Sequence, residues 1–218
     1  MLPLAVIFDM DGLMLDTESL GARAWEAVAA ERGIAFDAAV TPQLIGRSAA
    51  DCRELIRARH GADYPVDALM DGWDAAFEAL VAREGLAIKP GVTELLDWLA
   101  ARAIPRAVAT STRRGKAIAK LEATGLWPRL AHLVGGDEVA RGKPAPDIFL
   151  VAARRLGVAP TRCLVLEDST PGLLGAAAAG IPAIMVPDLC EPPSEVAGRP
   201  PRVMATLHEV RDWLASLA

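Results

Sequence analysis

The chain has 218 residues, of which 52% are hydrophobic and 23% charged, and a formal net charge of −5 at pH 7. That length suits one large domain or a core with a smaller appendage, and either can bury a sizeable apolar core. The negative balance argues against a nucleic-acid surface, which needs clustered Lys and Arg, and any anionic ligand must be held by local cations or a metal against the overall field.

Cys52, Cys163 and Cys190 are distant from one another and odd in number, so neither a disulfide framework nor a metal knuckle is expected, and a reducing cytoplasm fits best. No basic segment leads into an apolar leader, and no run has the length of a membrane span. His60, His132 and His208 are scattered, which leaves a His-based triad or a zinc site without support.

Residues 4–8 form an apolar run with a β-branched centre, as expected of a strand buried on both faces. The run stops at Asp9, and Asp11-Gly12 follows. Two acids and a flexible backbone thus stand at the strand's carboxyl end, where ligands bind in open parallel sheets. From 18 to 33, Leu20, Ala24, Ala27 and Val28 share one helical face, with Gly33 placed as a left-handed cap. Ser48 caps a second helix carrying Cys52, Leu55 and Ile56, and a third continues through Leu69, Trp73, Phe77, Leu80 and Val81. The stripes read as the core of a helical bundle, with Trp25 and Trp73 in it.

The texture changes at Lys89-Pro90-Gly91. Helices and short apolar runs then alternate: a helix through Val92 to Leu99, a strand ending at Thr110-Ser111-Thr112, a helix over 113–124 and a weak strand near 131–134. Gly142-Lys143-Pro144-Ala145-Pro146 precedes another helix, and a strand over 163–166 ends at Glu167-Asp168-Ser169. A helix to Gly180 and a strand over 183–186 follow. A Pro-rich loop spans 187–201, and the last helix opens on the capping box Thr206 to Glu209. This alternation indicates an α/β fold, a doubly wound parallel sheet. Residues 1–16 and 88–218 are expected to form that core and residues 17–87 an inserted, smaller helical domain.

Polar groups end three of the expected strands: Asp9 and Asp11, Thr110 and Ser111, Glu167 and Asp168. Parallel neighbours end on one edge of the sheet, so these groups converge, with Lys143 beside them in a loop that prolines restrict. Clustered carboxylates repel unless a cation sits among them, and an oxygen-only donor set suits Mg²⁺. Such a cluster can accept a phosphate, with Lys143 neutralising charge and Thr110 and the Ser111 N–H donating to its oxygens. One carboxylate in line with phosphorus can attack it, and another can protonate the leaving oxygen.

In order, Asp9-Met-Asp11-Gly12, Thr110-Ser111, Lys143 in Gly-Lys-Pro-Ala-Pro-Asp, and Leu166-Glu167-Asp168-Ser169 resemble the four-part pattern of the haloacid dehalogenase-like hydrolases over essentially the full chain. The resemblance implies a Rossmann-like core with an α-helical cap, hinged at 13–17 and 84–90. It implies Asp9 as nucleophile and Asp11 as general acid/base. Lys143 and Thr110, with Ser111 and Gly12, would bind phosphate. Asp9, Asp168 and the Asp11 carbonyl would hold Mg²⁺, with Glu167 a direct or outer partner.

Dehalogenases of this superfamily lack the second aspartate, whereas Asp11 is present, which favours a phosphate ester. Phosphonate hydrolases use a cap lysine, and no lysine precedes Lys89. The β-phosphoglucomutase-like members place a histidine where this chain has Gly21, so hydrolysis of small phosphate monoesters, sugar or nucleotide-like, is favoured over transfer. A mutase and a catalytically silent binding module are the alternatives. Residues 8–18 and 185–188 also resemble pseudouridine and sugar-phosphate phosphatase members. Arg47, in a loop resembling the family's specificity loop, meets an anionic substrate or is an exposed arginine on a capping turn, and Arg113 and Arg114 carry the same two readings. A monomer with a small phosphorylated substrate, and with no nucleic-acid or membrane partner, is expected.

Overall fold

The computed structural model describes residues 2–218. Six strands, β1 (Ala5–Phe8), β2 (Arg106–Ala109), β3 (His132–Val134), β4 (Cys163–Glu167), β5 (Ala183–Met185) and β6 (Arg202–Val203), form one sheet in the order β3-β2-β1-β4-β5-β6. Every pairing is parallel. The α/β, doubly wound architecture expected from the sequence is therefore observed. From β1 the chain builds outward to β3 and then crosses to β4 on the other side of β1, which makes the carboxyl ends of β1 and β4 a topological switch point.

The side chains of β1 alternate between two cores, as a strand covered on both faces requires. Val6 and Phe8 join one cluster with Leu95 and Leu99 of α5 (Val92–Ala100), Leu121 of α6 (Arg114–Ala123) and Val210 of α9 (Leu207–Ser216). Ala5 and Ile7 join the other with Phe149 and Ala152 of α7 (Asp147–Leu156) and Ala176 of α8 (Thr170–Ala178). Leu4, read as the first strand residue, lies outside the strand and is 51% exposed.

Between β1 and α5 come α1 (Glu18–Arg32), α2 (Thr41–Leu44), α3 (Ala49–His60) and α4 (Val66–Glu84), with their own apolar cluster of Trp25, Val28, Ile56 and Leu69. The segments entering and leaving this helical layer run side by side. The Asp16 N–H donates to the Ala87 carbonyl and the Lys89 N–H to the Met14 carbonyl, each at 2.9 Å.

Two details depart from the sequence reading. The short edge strand β6 follows the Pro-rich loop, and two exposed residues are too few to leave a periodic pattern. At α9, Thr206 Oγ1 accepts from the Glu209 N–H at 3.2 Å, but the Glu209 carboxylate takes the Ala205 N–H at 2.9 Å, one residue earlier than a reciprocal box would place it. Among the described residues, no helix is long and apolar enough to cross a membrane.

Candidate active site

The sheet register assembles the site. Phe8 lies level with Leu166 on β4 and Val108 on β2, so the next residues, Asp9 and Glu167, stand side by side, with Thr110 just beyond the end of β2. Lys143, from the loop before α7, is buried between them: its ammonium donates to Asp9 Oδ1 and to Glu167 Oε1. Glu167 Oε2 accepts from the N–H groups of Asp168 and Ser169 and from Ser169 Oγ, at 2.8–3.1 Å. A fully buried carboxylate is tolerable only when satisfied to this degree.

Asp168 is the exception. Its Oδ2 is buried and has no hydrogen-bond partner among the described residues, although carboxylate oxygens of Asp9, Glu167 and Asp168 lie within 4.8 Å of one another. Burial raises the Asp9 carboxyl to about 7; Lys143 opposes that rise, while Glu167 and Asp11 add to it. Burial, then Asp9 and Glu167, push Asp168 well above the carboxylate range. Burial works against the charge on Lys143, but Asp9 and Glu167 outweigh it and hold its pKa above the usual value. Three acids against one ammonium leave negative charge uncompensated. An orphaned oxygen in an oxygen-only set is what a hard divalent cation would satisfy, so the residues fit Mg²⁺.

Asp11 is organised separately from that cluster. Its Oδ1 accepts from Lys120 Nζ at 2.7 Å, and its Oδ2 accepts from Thr112 Oγ1 at 2.7 Å and Thr110 Oγ1 at 3.2 Å. Burial works to raise its pKa, but Lys120 and Thr112 outweigh burial and hold it below the usual value. Glu18, at the start of α1, is pushed up to about 8 by burial and then by Asp11 and Asp9.

Gly12 has φ +82°, and a Cβ there would stand 2.2 Å from Asp168 Oδ2. Its N–H already donates to the Leu15 carbonyl at 2.9 Å, so its role is close approach of the backbone to Asp168. Ser111 Oγ donates to the Gly46 carbonyl in the helical layer at 3.0 Å. Gly46, with φ +75°, comes so close that a Cβ would lie 2.4 Å from Ser169 Oγ. The loop before α3 therefore lies directly on the ends of β2 and β4.

Above the acids is a cavity of about 1000 Å³ between the sheet edge and the helical layer, lined by Asp9, Asp11, Thr110 and Ser111 below and by Trp73 and Phe77 above. Arg47 and Arg113 also line it, and the Arg47 guanidinium donates to the Gln43 carbonyl at 2.8 Å. Arg114 points elsewhere, to the Leu133 carbonyl and Glu138. Lys89 is held by Asp188 at 2.5 Å beside the paired linkers and does not line the cavity. Trp25 and Trp73 both pack in the core of the helical layer, as expected, and both also form cavity wall. The sequence reading missed Lys120, Thr112, Ser169 and Glu18. Ser169 and Thr112 sit within the motifs and were recoverable as their next hydroxyls. Lys120 carries no local signal, because only the packing of α6 brings it to Asp11.

The described features have counterparts in known proteins. A family model described as haloacid dehalogenase-like hydrolase matches residues 3–180. The fructose-1-phosphate phosphatase YqaB of Escherichia coli K12 is 35% identical over 83% of this chain and 95% of its own. The bifunctional riboflavin kinase/FMN phosphatase of Arabidopsis thaliana is 32% identical over 84% of this chain, which spans about half (48%) of that longer protein. The crystal structure of CbbY from Rhodobacter sphaeroides in complex with phosphate superposes with a TM-score of 0.79 at 31% identity, covering 96% of each chain. The family model over most of the chain and these relatives lead to one conclusion: the chain belongs to the haloacid dehalogenase-like hydrolase family.

Proposed function

We propose that this hydrolase is a Mg²⁺-dependent phosphatase of small phosphate monoesters, working through an aspartyl-phosphate on Asp9. The observation that carries the reading is the buried trio Asp9, Glu167 and Asp168, two of them bonded to Lys143, with Asp9 lining the cavity and an unpartnered oxygen on Asp168. Asp9, Asp168 and the Asp11 backbone carbonyl would hold the ion, with Glu167 beside it; when bound, Mg²⁺ neutralises the phosphoryl oxygens and the carboxylates that face them. Lys143 and the Thr110 and Ser111 groups hold the phosphate, and Asp9 is the nucleophile. Asp11 gives a proton to the leaving oxygen and later takes one from water. Residues 17–87 act as a cap that excludes water while the ester is bound. The phosphorylated sugars and nucleotides named for the relatives define the substrate class proposed here.

Trp73 bears on the mutase alternative. Its indole N–H donates to the Gly21 carbonyl at 3.1 Å, and its ring lies 3.3 Å from where a Cβ on Gly21 would stand. The place of the mutase histidine is thus covered by a cap side chain, which favours water as acceptor. A silent binding module is disfavoured by the presence of both Asp11 and Lys143. The test is release of inorganic phosphate from a panel of sugar and nucleotide monophosphates. Turnover in Mg²⁺ that EDTA abolishes is expected, and no release from any ester would refute the reading. With β-glucose 1-phosphate and its bisphosphate, glucose 6-phosphate accumulating ahead of free phosphate would install the mutase instead.

A further inference from the structure

We propose that Lys120 is the positioning residue for Asp11, fixing which oxygen of that carboxylate exchanges a proton with the leaving alcohol; this assignment rests on the phosphatase reading of the site. The geometry is asymmetric. Asp11 Oδ1 faces the Lys120 ammonium at 2.7 Å, whereas Oδ2 faces the Thr112 and Thr110 hydroxyls at 2.7 and 3.2 Å. An ammonium has three donors and no acceptor, so an oxygen facing it cannot donate a proton in that direction. A hydroxyl rotates and can accept as well as donate. Any proton that Asp11 exchanges is therefore carried on Oδ2, and Lys120 prevents the carboxylate from turning over.

Lys120 is not an ordinary surface partner. Its side chain and that of Asp11 are 16% and 19% exposed, while one turn earlier Lys116 pairs with Asp74 of α4 with both side chains about half in solvent. The Lys120 ammonium also lies 4.9 Å from the centroid of the Phe77 ring, which belongs to α4. A cation over a ring face is held there electrostatically. One ammonium thus touches the proton-transfer group on the core and an aromatic side chain of the cap, so Asp11 is fully fixed only while the cap is seated.

The bonds balance without a further reactant. An Asp9 oxygen bonds to phosphorus, the ester P–O bond breaks, and the leaving oxygen takes the proton from Asp11 Oδ2. Water then attacks phosphorus, the Asp9–phosphorus bond breaks, and the water proton passes to Asp11 Oδ2. Lys120 keeps its protons throughout.

The test compares kcat/KM for the best alkyl ester of a panel containing fructose 1-phosphate and glycerol 3-phosphate with that for 4-nitrophenyl phosphate, whose leaving group departs without a proton. Lys120→Met keeps the stem and removes the charge. It is expected to lower kcat/KM on the alkyl ester by about 10²-fold, the lower end of what a positioned acid contributes, and on the aryl ester far less. Lys120→Arg is expected to recover most of the alkyl activity. Circular dichroism and urea midpoints establish that both variants fold, and Lys120→Gln serves if the Met variant does not. An equal loss on both esters marks a structural role, and undiminished alkyl activity removes any role; either result overturns the assignment. Failure of the wild-type protein on both esters would instead refute the phosphatase reading beneath it.

Discussion

Asp9, Glu167 and Lys143 form a buried ionic group in which each member is tolerable only because of the others. Removing the ammonium leaves two facing carboxylates without their cation. Lys143→Met is therefore expected to destabilise the metal-free protein by about 3–5 kcal/mol in urea unfolding, the usual cost of breaking a buried pair; a change under about 1 kcal/mol would show that the pair is not closed in solution. Glu18 makes a second prediction. Its carboxyl titrates at about 8 when folded against 4.5 for the ordinary group, so between those values the folded chain holds a proton that the unfolded chain has released. The stability that neutral Glu18 contributes is fully present below pH 4.5 and is lost as pH rises through about 8. In EDTA, Glu18→Gln should flatten the stability profile between pH 5 and 8 by a slope approaching 1.4 kcal/mol per pH unit, the value for one proton; an unchanged slope would exclude the shift. The acids of the site were legible in the sequence because each ends an apolar run, where a charge has no packing reason to be. Glu18 and Lys120 were not, since an acid in a first helical turn and a lysine on a helix ordinarily face solvent.

The strand β1 combines two roles, and its periodicity made both visible. Its four side chains are wholly buried in two different clusters, and the next residue is the proposed nucleophile. Ile7→Ala should cost about 2–5 kcal/mol through the cavity it leaves. Helix α6 shows the opposite case. Ala117 and Leu121 declare its buried face, but nothing in that pattern announces that Lys120 reaches across the sheet edge to Asp11. The loop before α3 is legible only in part: a glycine at positive φ is expected in a turn, yet its contact with Ser169 depends on how the helical layer sits. Gly46→Ala places a methyl against Ser169 at a backbone conformation that alanine resists. We predict at least a tenfold fall in kcat/KM with little change in urea midpoint, because the fold survives while the cap no longer closes. An equal kcat/KM would mean that this contact is not made during turnover.

At the scale of the molecule, a parallel sheet supplies the acids and an inserted helical layer supplies the roof of the cavity, with two paired linkers carrying the chain between them. The fold class followed from the alternation of strands and helices, and the convergence of four distant motifs followed from parallel strands ending at one edge. Two contacts that depend on the approach of the two layers, Ser111 to Gly46 and Lys120 to Phe77, and one within the helical layer, Trp73 over Gly21, have no local pattern and emerged only from the coordinates. Those contacts are proposed to set which ester fits and which acceptor follows, and the reaction itself is proposed to hang on Asp9. Rapid acid quench of the enzyme turning over its best ester in Mg²⁺, followed by mass spectrometry of the peptide carrying Asp9, tests that directly. A phosphoryl group on Asp9, absent in EDTA and in Asp9→Asn, is the expected result; phosphate release by an Asp9→Asn enzyme at the wild-type rate would contradict it.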